Sequence, residues 1–504
     1  MQALIVTVFV GLALALAAVT SLVGAGLGVL AALALLPLPL IFKDYRAGVL
    51  MLTVALCATS SLPQIPGLNL LNFLTVATLA SFFSRVAFKR LSYVHLPKVL
   101  WGAFFVPVTM GIIVAYPHIH EAINNYPLLK NPADVFDPPK YAVDRYVKPI
   151  FYYFSYVLLL ANAVRDSKRP ERFLALLGFC SLIPISLVVY TILTYPGSFG
   201  ELINNREFMA PRGMHANEFG MLIAFAAGPL LFTIGTLKSR LGNLALMVMF
   251  GIVTVGEILT FSRGGMTSYL VAVVAYVILR RQIKTVIVVV LFGVVGLLAA
   301  PDSVTDRFTA GIRPGAVSDV SNIEKDDLTA GRVAGWIKLL PEVHESPVWG
   351  SGIGSTQWSE AVHSGRYIAN HPHNIYLEVM MDLGVIGMGC FIYLYYRYLN
   401  RYRRLVADPT LSPAMRAFFD GSRWSMVGGL VMAATTAYYM PNQAQFFMWF
   451  SLGILFSYWD RADYKAPVVA GVRKIWGARR SGIWGSYGAR PAVPTVQRTS
   501  KEHG

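Results

Sequence analysis

The sequence predicts an all-α polytopic membrane protein, and three observations carry that expectation. Of 504 residues, 55% are hydrophobic and 14% charged, with a mean hydropathy of +0.54; soluble domains carry about 25% charged residues. Apolar runs of about 16–22 residues, enough to cross a hydrocarbon core, recur along the chain. The basic residues gather in short stretches between those runs, as they do in cytoplasmic connections of membrane proteins.

Taken in order, the apolar runs predict fourteen transmembrane helices, at about 3–19, 24–42, 47–62, 68–84, 99–116, 148–164, 173–195, 217–236, 243–261, 265–280, 284–300, 375–396, 424–440 and 443–459. Twelve is the alternative count, because the first two runs lie close together. The first run lacks a basic flank and passes directly into the second, so it reads as a retained helix rather than a signal peptide. With the N-terminus in the cytoplasm, segments 43–46, 85–98, 165–172, 238–240, 280–284, 397–423 and 460–504 hold 30 of the 43 Lys and Arg. This split predicts that both termini are cytoplasmic. It also accounts for the net charge of +16 without a nucleic-acid partner.

Four regions follow. Residues 1–300 carry helices one to eleven, with outside loops at 117–147 and 196–216. Residues 301–374 form one large outside loop before the twelfth helix, with nine acidic and six basic residues. Residues 375–459 carry the last three helices. Within the large loop, 330–340 reads as helical and 347–354 as a tight turn. The tail 460–504 interleaves Arg473, Lys474, Arg479 and Arg480 with Trp476, Trp484 and Tyr487, a composition suited to an anionic lipid surface. Cys57, Cys180 and Cys390 all fall in apolar runs, so neither a disulfide nor a metal cluster is expected.

Ionisable groups at the edge of membrane helices are costly and therefore candidates for function. Arg263 sits in Phe261-Ser262-Arg263-Gly264-Gly265, a connection too short to leave the membrane surface. Its planar fork suits phosphate oxygens. Arg212 precedes a helix for which Asn217 is the expected N-cap, close to the positive end of that helix dipole; His215 lies between them. Arg332 and Trp336 are spaced to share one face of a short helix, where they would stack on each other or hold a sugar phosphate. His373 is expected to begin the twelfth helix, whose N-terminus disfavours a positive charge and keeps the imidazole neutral, as a general base must be. His371 is the competing histidine. Asn374, Glu378 and Asp382 are spaced by four on one face. The two carboxylates need partners, and Arg263 or Arg212 is the expected source; Glu257 has the same need.

These elements resemble the O-antigen ligase and polymerase superfamily of integral-membrane glycosyltransferases. The stretch from His373-Asn374 to Gly384-Val385-Ile386-Gly387 matches the ligase signature, a histidine with a polar neighbour followed by two spaced glycines that let backbones approach closely. The turn 261–265 and the stretch from Gly331-Arg332 to Gly354 resemble two further family elements. The chain departs from the family in its helix count and its basic tail. The resemblance implies a bacterial inner-membrane enzyme that transfers a glycan from undecaprenyl diphosphate on the periplasmic face, with neither metal nor other cofactor. His373 would be the base. Arg212, Arg263, Arg332, Trp336 and Asn374 would bind the diphosphate donor, supported by His371, Glu378 and Asp382. The acceptor would be lipid A–core in a ligase or a growing glycan in an O-antigen or exopolysaccharide polymerase. A transporter or lipid flippase is the reading from another class, though charges gathered at helix ends rather than along a central cavity weigh against it.

Overall fold

The computed structural model describes residues 37–59, 69–88, 93–125, 137–198, 201–202, 208–209, 213–280, 332–367, 369, 371–436 and 439–460. All lie in the first of two units, Met1–Ala462, the second being Asp463–Gly504. The expected helices 3–19 and 284–300, most of 24–42, and the tail therefore lie outside the described residues.

Among the described residues the chain is helical and has no strand. The helices are α1 (Leu38–Lys43), α2 (Tyr45–Cys57), α3 (Leu70–Ala87), α4 (Lys98–Ala122), α5 (Pro138–Arg165), α6 (Arg172–Leu193), α7 (Ala216–Thr233), α8 (Arg240–Leu259), α9 (Arg263–Arg280), α10 (Arg332–Glu345), α11 (Ile375–Val406), α12 (Pro413–Met432) and α13 (Phe446–Ser457). Seven of them, α3 to α8 and α11, are long and apolar enough to cross a membrane. Three run well past the expected apolar limits. α5 begins ten residues early, α11 continues to Val406, and α12 starts at Pro413. Those extensions are polar and amphipathic, so a hydropathy window stops short of them.

The centre is α7, packed against α9 and α12. Small residues allow this. A Cβ on Gly228 would lie 2.5 Å from the Gly421 carbonyl oxygen, and one on Gly265 would lie 2.7 Å from Gly220 Cα. Ser425 Oγ accepts from the Gly228 N–H at 3.1 Å. Without a hydrophobic driving force between helices in lipid, such close backbone contact and small polar groups hold the bundle together. Leu241, Leu244, Met247, Val248 and Val255 of α8 face outward, as lipid-facing residues do.

Candidate functional site

Four helices start at one end of the bundle. Ser262 Oγ donates to Asn217 Oδ1 at 2.9 Å and accepts from the Gly265 N–H at 3.0 Å, which ties the first turns of α7 and α9 together. Gly264, beside Arg263, approaches Met432 and Thr435 at the far end of α12. Tyr376 in the first turn of α11 donates to the Leu430 carbonyl at 2.6 Å. The Trp336 indole of α10 donates to the Pro372 carbonyl at 2.9 Å, one residue before His373. Helix N-termini carry partial positive charge, so this end favours an anion.

The α7 cap differs from expectation. His215 occupies the N-cap, and its N–H donates to Glu218 at 2.7 Å. Asn217 is already inside the helix, which frees its side chain for Ser262. Glu257 is fully buried beneath this turn against Gly265. Neither oxygen has a hydrogen-bond partner among the described residues.

At α11 a correction of one residue matters. The N-cap is Asn374, whose side-chain oxygen accepts from the N–H groups of Tyr376 and Leu377 at 3.0 and 3.2 Å. His373 therefore precedes the helix instead of beginning it, in a left-handed conformation with φ of +51°. Such a value in a non-glycine residue is uncommon and is found where surrounding structure enforces it. The His371 ring stands nearly perpendicular to the His373 ring, with centroids 4.0 Å apart. Burial, together with His373, Arg145 and His215 nearby, pushes the His371 imidazole down to about 3. It stays neutral at any physiological pH.

The signature glycine breaks α11. Gly384 has φ +63° and ψ −166°, a region open essentially to glycine. Segment 346–355 fills the break. Ser351 and Gly352 donate to the carbonyls of Met381 and Asp382 at 2.8 and 3.0 Å, and Val385 donates to Pro347 at 2.8 Å. A Cβ on Gly384 would lie 2.4 Å from the Val348 carbonyl. The close backbone approach expected of this glycine is thus real, but the visitor is a loop and not a neighbouring helix. Gly387 leaves room for Leu383.

Asp382 holds that loop. It accepts from the Gly354 and Ser355 N–H groups at 3.0 Å each, from Ser355 Oγ at 2.7 Å and from Tyr439 at 3.3 Å. Its partners are therefore backbone and hydroxyl donors, where an arginine was expected. Glu378, one turn earlier, is buried within electrostatic reach of Tyr439.

Arg263 and Arg332 are half-buried and open α9 and α10. Arg332 lies close enough to Tyr367 for its charge to be felt there. Trp336 and Tyr367 pack around Leu339, Ala361, Leu377 and Met381, so this indole fastens α10 to the first turns of α11. Arg212 lies outside the described residues. Arg145 escaped the sequence reading. It lies within a stretch taken for loop, and a single arginine there carries no spacing signal.

A sequence model described as O-antigen ligase matches residues 248–392. That range holds Glu257, Arg263, Arg332, His371, His373 and the Gly384 break. A Rickettsia conorii protein provisionally named a polysaccharide ligase is 31% identical over 85 residues. The match covers 15% of this chain and 21% of that relative's length. Residues 248–392 are thus similar to the O-antigen ligase family.

Proposed function

We propose that the protein transfers a glycan from undecaprenyl diphosphate to an acceptor hydroxyl on the periplasmic face of the bacterial inner membrane. The observation that carries the reading is His373, held in a strained turn against a neutral His371 at the end of the bundle where α7, α9, α10 and α11 begin. In this reading the acceptor oxygen attacks the anomeric carbon from the side opposite the diphosphate. The bond to the diphosphate oxygen breaks, the hydroxyl proton passes to a His373 ring nitrogen, and the anomeric carbon is inverted. The developing charge on the departing lipid diphosphate is met by Arg263 and Arg332, and by Arg212, four residues ahead of α7 in the sequence. Fixed donors of this kind contribute most where charge develops. Trp336 and Asn374 hold the frame of the site.

The ligase form, with lipid A–core as acceptor, is favoured by the family match and by the name of the Rickettsia relative. Repeat-unit polymerisation uses the same chemistry on a growing glycan. Purified protein supplied with undecaprenyl-diphosphate glycan, and separately with lipid A–core or free glycan as acceptor, tests both. His373→Ala is expected to lower transfer by about two to four orders of magnitude while the protein still inserts and folds. Near-normal turnover in that variant would remove His373 from the chemistry. Absence of transfer to either acceptor by the unaltered protein, with movement of the lipid-linked glycan across a bilayer, would favour a flippase.

A further inference from the structure

Arg145 lies in the N-terminal extension of α5, in a π-helical stretch, Val143–Val147. Such wide turns are rare and cluster at functional sites. Tyr141, just before the stretch, and Tyr146, within it, stand with ring centroids 6.1 Å apart. Tyr141 donates to Gln357 Oε1 at 3.0 Å and Tyr146 to the Ile353 carbonyl at 2.9 Å. Both acceptors belong to the turn that Asp382 clamps to α11 from the other side. Arg145, next to Tyr146 and half-buried, is thus fixed to the same frame as His373. Its charge reaches the buried His371 ring. The adjacent acid, Asp144, pairs with Lys148 one turn on.

We propose that Arg145 is a further anion-binding residue of this site, contacting the diphosphate of the lipid-linked donor beside His371 and His373. The proposal rests on the glycan-transfer reading above. A guanidinium carried on a helix that is hydrogen-bonded to the site's own turn is preorganised for a bidentate contact with phosphate oxygens. It adds a cation on a helix other than α9 and α10, so the diphosphate is held from more than one side.

The test uses the full chain in lipid nanodiscs with undecaprenyl diphosphate, free of sugar, as the probe, and undecaprenyl monophosphate as the comparison. Arg145→Gln is expected to weaken diphosphate binding at least about tenfold, the usual consequence of losing a charge-assisted hydrogen bond. Its melting temperature should not change, and its preference for diphosphate over monophosphate should shrink. Arg145→Lys should recover part of the affinity, because it keeps the charge and loses the fork. Unchanged diphosphate affinity in the Gln variant overturns the assignment and leaves the donor reading standing. If the unaltered protein shows no preference for the diphosphate, the donor reading itself fails. Should the Gln variant melt early, the Lys variant decides: stable folding with weakened diphosphate binding supports the contact, and wild-type binding overturns it.

Discussion

Removing the Asp382 carboxylate separates a clamp from a catalytic group. In the structure it accepts four hydrogen bonds, two from backbone N–H groups and two from hydroxyls. In Asp382→Ala the hydroxyls of Ser355 and Tyr439 can turn elsewhere, but the N–H groups of Gly354 and Ser355 cannot. Each orphaned buried donor costs about 1–3 kcal/mol. The two together cost about 2–6 kcal/mol, a large part of the stability of an ordinary domain. Asp382→Asn keeps one acceptor oxygen and turns its NH2 towards a donor, so about half of that loss is expected. Thermal melting in detergent, run beside the transfer assay, reads both effects. For a clamp, melting temperature and transfer fall together, in the order Ala then Asn, and Tyr439→Phe loses least. An Asp382→Asn protein that melts like wild type yet loses transfer by about two orders of magnitude would place the carboxylate in the chemistry and refute the clamp.

Two more outcomes follow from the same geometry. Gly384→Ala brings a Cβ to 2.4 Å from the Val348 carbonyl and needs a backbone conformation that alanine avoids. It should cost at least about 1–3 kcal/mol and expose 347–351 to proteolysis, whereas wild-type resistance would argue against the docked loop. His371 is neutral when folded and charges near pH 6.5 when unfolded. Its contribution is therefore complete above that value and is lost as pH falls from 6.5 towards about 3, at about 1.4 kcal/mol per pH unit. His371→Gln should flatten the acid side of the melting-temperature profile, and an unaltered profile would show that this imidazole is solvated.

The positions of the membrane helices were legible because each apolar run is long enough to need lipid or protein cover, and eleven of the fourteen expected segments coincide with helices among the described residues. Their true ends were not. Residues 138–147, 397–406 and 413–423 are helical through contacts with other parts of the chain, and hydropathy does not see those contacts. His371, His373, Arg263 and Arg332 stand out in the sequence through short motifs. What each group touches was hidden. An acid two turns into a helix looks like an arginine's partner until the loop carrying Gly354 and Ser355 arrives from about thirty residues upstream. A glycine at 384 looks like a helix-packing site, since nothing local says that the helix stops there and restarts. Arg145 had no signal because the feature that positions it, a widened helical turn, depends on tyrosines whose partners lie over two hundred residues away.

The break at Gly384 bears on how the chain is assembled during synthesis. Its broken turn leaves backbone groups that lipid cannot satisfy, each costing several kcal/mol in a bilayer. The replacement donors and acceptors, Pro347 to Gly352, leave the ribosome before α11 does. When α11 inserts, the strip that completes it has already been made and is tethered nearby, separated by the 353–374 segment. The helix therefore need not wait for a later part of the chain to shield its exposed carbonyls. The partnership is between main-chain atoms, so most side chains at Pro347, Val348 and Trp349 can change without undoing it. The cluster of glycines at 350, 352 and 384 is what the ribosome's order of delivery cannot replace.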